Sequence, residues 1–184
     1  MLNVEVNGIT YNLPQSFKEI KFGKYLDILK IKEPNRIRNG AKVLATLWGI
    51  DENELLKMDY ISFEKLCGVL SFLSELSCIE KNTEDVITVG EYEFKIKSDF
   101  VKLSAGDMSD IDITSENKDE IDIQSSILTT LLKCEQLPIY EQRKQYLEDN
   151  IDSHTALSIV LFFLNIVEGL VNNISTYLEV PVME

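Results

Sequence analysis

The chain is poor in residues that interrupt structure. Its 184 residues include four prolines and eight glycines, so no low-complexity tract breaks it. The glycines are scattered, with no G-x-G-x-x-G and no G-K-[ST], which excludes the usual phosphate-cradling loops. H-E-x-x-H, G-x-S-x-G and paired catalytic carboxylates are also missing. Cysteine is scarce: Cys67, Cys78 and Cys134 are odd in number and form no C-x-x-C. They read as small core residues in a reducing compartment. A cysteine nucleophile would need a base, and the one histidine, His154, follows Asp152-Ser153 at a predicted helix start, a position that suits a solvated side chain. The expectation is a protein that is not an enzyme and holds no cofactor or metal.

Long apolar runs are absent too. The longest, Ile159 to Leu164, is far short of the ~20 residues that a membrane helix needs. The opening Met-Leu-Asn-Val-Glu-Val lacks the basic and apolar regions of a signal peptide. Positive charge is in deficit, 18 Lys and Arg against 31 Asp and Glu, for a net charge of −13. That balance argues against nucleic acid, which requires a basic footprint, and against anionic membranes. It suits a partner that is itself basic.

What the chain does have is a copy of itself. Residues 4–28 align with residues 87–111 at an offset of 83, placing Phe17 on Phe100, Gly23 on Gly106 and Asp27 on Asp110. Val43-Leu44-Ala45-Thr46-Leu47-Trp48 matches Ile127-Leu128-Thr129-Thr130-Leu131-Leu132 at 84, and Val69 to Leu73 matches Val160 to Leu164 at 91. The drift from 84 to 91 places about seven extra residues near 134–150. Fixed-offset similarity of this kind decides architecture. It predicts two pseudo-repeats, 1–80 and 86–180, within one compact unit. Polar Lys81 to Asp85 links them.

Each repeat opens on a hairpin pattern. Leu2, Val4, Val6, Ile9, Tyr11 and Leu13 alternate with polar residues around Asn7-Gly8, a dipeptide suited to a type I′ turn. Ile87 to Ile96 repeats this around Gly90-Glu91, which suits type II′. The hairpins could form one four-stranded sheet or lie separately on helices; the helices following each favour the second. Predicted helices cover Phe22–Leu29, 37–49 and a short stretch from Asp51 to Met58. A long helix opens at Ser62 with Phe63, Leu66, Cys67, Leu70, Leu73 and Leu76 on one stripe. The second half shows helices at 122–134, 139–149 and 154–178, and Ser104 with Asp107 reads as a capping box. The fold class is therefore α+β and predominantly α-helical.

Three stretches stand out as candidate surfaces. Segment 107–122 carries Asp107, Asp110, Asp112, Glu116, Asp119, Glu120 and Asp122 against Lys118 alone. It reads as a solvated loop or a docking surface for a basic partner. The EF-hand spacing fails because Ser115 stands where glycine is needed. Segment 18–42 is basic and could meet the acidic segment of another copy, giving a homo-oligomer or ring. The last helix has an apolar arc too wide for one buried stripe. Leu161 is expected to face the core, with Phe63, Leu66, Leu70 and Leu73 of the earlier helix opposite, while Phe162 or Phe163 is left for an intermolecular contact. The candidate interaction residues are thus Asp107, Asp110, Asp112, Asp119, Glu120, Phe162 and Phe163.

Several short segments resemble small proteins of tailed-bacteriophage structural gene clusters. They are Asn7-Gly8-Ile9-Thr10-Tyr11, Ile20-Lys21-Phe22-Gly23-Lys24-Tyr25-Leu26-Asp27-Ile28, and Trp48-Gly49-Ile50-Asp51-Glu52-Asn53-Glu54-Leu55-Leu56, with Leu103-Ser104-Ala105-Gly106-Asp107-Met108-Ser109-Asp110-Ile111 in the second copy. Lys21 and Lys24 depart from the pattern, standing where a cap and an acid are expected. The resemblance implies a non-enzymatic role in a virion or host cytoplasm: a tail, baseplate or head–tail junction component, or a chaperone for one. Its partners would be other phage structural proteins. The alternative is a cytosolic protein-binding adaptor unrelated to virions.

Overall fold

The structure is a computed structural model that describes residues 2–6, 9–76, 79–80, 84–97, 103–111 and 120–178. Side-chain surroundings in the last helix are described as far as Ile166. The fold is α+β and predominantly helical, with two pseudo-repeats that each open on a hairpin.

In the first repeat, β1 (Leu2–Val6) pairs antiparallel with β2 (Ile9–Leu13), with Val6 opposite Ile9, Val4 opposite Tyr11 and Leu2 opposite Leu13. That is the register expected of a two-residue loop. Asn7 and Gly8, the proposed turn, lie outside the described residues. In the second repeat, β3 (Val86–Val89) pairs with β4 (Tyr92–Ile96). Gly90 has φ 59°, the positive value that both primed turns require at their first position. A side chain at Gly90 would also strike the Tyr146 hydroxyl. That hydroxyl donates to the Val89 carbonyl at 3.2 Å and accepts from the Glu91 amide at 3.3 Å. The hairpins lie in separate sheets, the second extended by a two-residue strand, β5 (Leu132–Lys133), on β4.

The helices recur in the order of the repeat. Those of the first copy are α1 (Phe22–Leu29), α2 (Arg36–Trp48), α3 (Glu52–Leu56) and α4 (Tyr60–Val69). Those of the second are α5 (Ala105–Ile111), α6 (Glu120–Leu131), α7 (Tyr140–Asn150) and α8 (Ser153–Leu178). From α1 to α5 the starts differ by 83 residues (105 − 22). Where the first copy has the five-residue α3, the second has β5 and the eleven-residue α7.

Local chemistry sets the boundaries. The Asn35 side chain accepts from the amides of Ile37 and Arg38, and Gly49 closes α2 with φ 69°, a left-handed end that glycine takes freely. Asp51 caps α3 and Asp59 caps α4. The expected long helix from Ser62 to Leu76 is not formed as such. It starts two residues earlier, under the Asp59 cap, and tightens into a 3-10 turn over Leu70–Ser74. Leu76 is exposed.

Two apolar cores result. The smaller belongs wholly to the first repeat and unites Leu13, Ala41, Leu44, Ile50, Leu55, Phe63 and Leu66. The larger draws on both: Phe17, Phe22, Tyr25 and Leu26 pack with Phe94, Leu128, Leu147, Leu157 and Phe163, among others. Trp48 and Leu70 border both cores. The partner expected for α8 is thereby corrected in part: Leu70 and Leu73 pack against the larger core that α8 enters, and Phe63 and Leu66 do not. Phe63 and Leu66 are committed to the smaller core, and α8 packs mainly on α6, α1 and the 3-10 turn Phe17–Glu19.

The repeats are joined by backbone as well as by side chains. Lys21 and Asp152 form an isolated antiparallel bridge. The Phe22 amide donates to the Ile151 carbonyl at 3.0 Å, and the Ser153 amide and hydroxyl donate to the Ile20 carbonyl at 2.7 and 2.8 Å. The N-termini of α1 and α8 therefore meet, each completing part of the other's hydrogen bonding. Among the described residues no helix is long and apolar enough to cross a membrane.

Candidate functional site

The acidic segment is split by the fold. Asp107 and Asp110 lie on α5, Asp112 and Asp119 fall outside the described residues, and Glu120 is the first residue of α6, its side chain likewise undescribed. Asp110 is exposed. Asp107 is not the solvated docking residue expected of it. It is 7% exposed, accepts from the Ser104 amide at 2.9 Å and hydroxyl at 2.8 Å, and pairs with Lys97 at 2.7 Å and Lys133 at 3.1 Å. The Asp107 amide in turn donates to Ser104 Oγ at 3.1 Å, completing the capping box. Burial pushes this carboxyl up, but the hydrogen bonds from Lys97, Ser104 and Lys133 outweigh it and hold the group well below the ordinary carboxylate range. Asp107 clamps α5 to the second sheet.

Nearby, Arg143 of α7 is buried, and among the described residues no carboxylate hydrogen-bonds to it. Its guanidinium donates to the carbonyls of Thr129, Leu137 and Pro138. Burial lowers its proton affinity. The chain between β5 and α7 is wound around this group, so the inserted segment is organised by an arginine that apolar periodicity did not flag.

A cleft of about 490 Å³ lies between α1, α6 and α7. Lys21, Lys24, Lys30 and Lys144 line it together with Asp27, Asp122, Glu148 and Asp149. The basic residues expected to meet another subunit are largely used within the chain. Lys21 donates to the Asn150 carbonyl at 2.6 Å, Lys24 to the Leu47 carbonyl at 3.1 Å, and Lys30 to Asp27 at 2.8 Å. The Asp27 hydrogen bond raises the Lys30 pKa, with Glu148 and Asp122 adding to it and desolvation opposing. Outside the cleft, Lys42 pairs with Glu33 and Arg36 with Glu64. At the cleft floor, Ser125 donates to Glu148. Gly23 makes the crossing possible, because a Cβ there would sit 2.9 Å from the Glu148 carbonyl oxygen. The cleft is a seam between repeats, its charges balanced across it.

Phe163, a candidate contact residue, is buried in the larger core, which corrects its assignment to an interface; Phe162 is half-buried. Leu161, expected in the core, is only half-buried, and Leu157 and Val160 take that place. The Cys67 thiol is pushed up by burial, and Cys134 is buried and donates to Gln136. Cys78 lies outside the described residues.

The apolar surface left open lies elsewhere. Tyr60 and Ile61, in the first turn of α4, are 62% and 67% exposed, and Leu56 just before them is exposed as well. A groove of about 310 Å³ runs between β1 and the Ser62–Lys65–Val69 side of α4. No protein family, characterised protein or solved structure matches the chain at significant similarity.

Proposed function

We propose that this chain is a non-enzymatic structural or assembly protein of a tailed bacteriophage, working through protein–protein contacts at the tail, baseplate or head–tail junction, or as a chaperone for such parts. The observation that carries the reading is the distribution of polar and apolar groups over the duplicated fold. The conspicuous polar residues Asp107, Arg143, Lys21 and Lys24 are occupied in joining elements and repeats. The most exposed large apolar side chains are Tyr60 and Ile61, at the start of α4. Exposed apolar residues beside a groove are the usual mark of a protein contact. The resemblance of the hairpin and helix-start segments to phage structural proteins supplies the setting.

Mass spectrometry of purified virions against infected-cell lysate tests the reading. Stoichiometric presence in virions is expected of a structural part, and presence in infected cells with absence from virions is expected of a chaperone. Finding the chain expressed with no phage structural gene beside it, and in neither sample, would favour the cytosolic adaptor.

A further inference from the structure

We propose that the β1–α4 face is a self-association surface, on which two copies of this chain pair about a two-fold axis with the β1 strands edge to edge. This deepens the assembly reading and rests on it for its setting. Three features of the face point to a second copy as the occupant.

The first is the edge itself. The first sheet has two strands, and the only neighbour of β1 among the described residues is β2. An edge strand leaves a row of amides and carbonyls that can pair with another strand. Strand addition at such an edge is a common recognition mode. β1 also forms one wall of the groove through Val4 and Glu5. A strand added beside β1 would lie within the groove.

The second feature is apolar. The opposite wall is the face of α4 that carries Ser62, Lys65, Leu66 and Val69. The same helix buries Phe63 and Leu66 in the smaller core while leaving Tyr60 and Ile61 in solvent. A helix apolar on both sides is one with a neighbour on both sides. Met58 lines the groove with them, and exposed Ile61 stands one turn before Lys65 at its border.

The third feature selects the partner. Glu5 on one wall and Lys65 on the other have no ion-pair partner among the described residues. A two-fold contact is self-complementary: what residue i does to residue j, j does to i. The β1 strand of a second copy laid in the groove brings Glu5 of the partner subunit to Lys65, and the axis repeats the pair. The chain carries a net charge of −13, so two copies repel over most of their surfaces. A face with one unpaired cation, one unpaired anion and an apolar middle is where that repulsion is locally cancelled.

Sedimentation equilibrium on the purified full chain, over a range of micromolar concentrations, tests the surface. A reversible monomer–dimer equilibrium is expected. Ile61→Asp is expected to leave the protein monomeric with its far-UV spectrum unchanged, since Ile61 is mostly exposed. Lys65→Glu and Glu5→Lys are each expected to weaken the dimer roughly tenfold or more, because each reversal sets two like-charge contacts across the axis. The doubly reversed protein should recover most of the lost affinity. A monomer at every concentration overturns the proposal, as does a dimer that survives Ile61→Asp. A double reversal weaker than either single change also overturns it. If the chain alone stays monomeric but another virion protein binds it through Tyr60 and Ile61, the occupant is that protein and self-association is wrong. None of these outcomes depends on whether virions contain the chain, so failure here and failure of the assembly reading are separable.

Discussion

Gly23 and Gly106 occupy the same position in the two repeats and do different work. A Cβ at Gly23 would press on the Glu148 backbone at 2.9 Å, whereas among the described residues the nearest atom to one at Gly106 is Ser104 Oγ at 3.6 Å. The residues around them diverge in step. Ser104 and Asp107 cap α5 from within their own repeat. Lys21, at the position of Ser104, offers no side-chain cap, and the first amide of α1 is satisfied by Ile151 of the other repeat. Lys24, at the position of Asp107, reaches the last turn of α2 instead, where a cation suits the helix dipole. One copy of the motif has been kept as a self-contained helix start. The other has been turned outward to hold the two copies together.

That contrast can be attacked by mutation, and the largest effect belongs to the outward-turned copy. Phe22 is fully buried in the shared core, and Phe22→Ala should cost about 3–5 kcal/mol in denaturant unfolding. A cost below about 1 kcal/mol would mean that α1 does not depend on the second repeat. Next is the self-contained copy: Asp107→Ala strips four donors of their acceptor at a buried site and should cost about 2–3 kcal/mol. Its pH dependence has a definite sign. The folded carboxyl titrates below its unfolded value, so its contribution is complete above the ordinary carboxylate range near pH 4 and is lost as pH falls below that. Acid unfolding of Asp107→Asn should therefore be shallower than that of the natural chain. An identical acid limb would remove the clamp from the account.

Smaller effects sharpen the comparison further. Gly23→Ala should destabilise by about 1–3 kcal/mol, since backbone carbonyl cannot swing aside as a side chain would. Gly106→Ala should do the reverse, stabilising by roughly 0.5 kcal/mol through helix propensity alone. Paired thermal melts that move in the same direction would erase the distinction between the repeats. Ser153→Ala removes one buried hydrogen bond to Ile20 and should cost about 1 kcal/mol, the Ser153 amide still holding that carbonyl.

The hairpins and most helix boundaries were legible because their causes are local. Alternation places Val4 and Tyr11 on one face, and Asp51 and Ser104 announce helix starts wherever they stand. The join between repeats was not legible, because Ile20 and Ser153 are 133 residues apart and neither carries a mark of the other. The one trace was negative: a helix start with Lys21 where a cap belongs must find its acceptor from somewhere else. β5, at two residues, is too short to show a period. The stripe from Phe63 to Leu76 kept helical spacing, yet spacing cannot tell an α-helix from one that tightens at Leu70. Asp107 counted as one more acid in an acidic run until Lys97 and Lys133 converged on it. Tyr60 and Ile61 escaped notice because they lie off the Phe63–Leu66 stripe, in the turn where a helix is usually polar.

The meeting of α1 with α8 also sets an order of events in synthesis. As the chain leaves the ribosome, the smaller core can close as soon as Leu66 is out, since all its members precede that point. Helix α1 cannot finish. The carbonyl for its first amide belongs to Ile151, and its buried face waits for Leu147, Leu157 and Phe163. The first repeat is therefore made half-closed and is completed only once residues 147–163 have been translated. Closing so long a loop is slow, and during that interval Phe22 and Tyr25 are open to mispairing. A chain cut short before residue 151 would show its damage at residue 22.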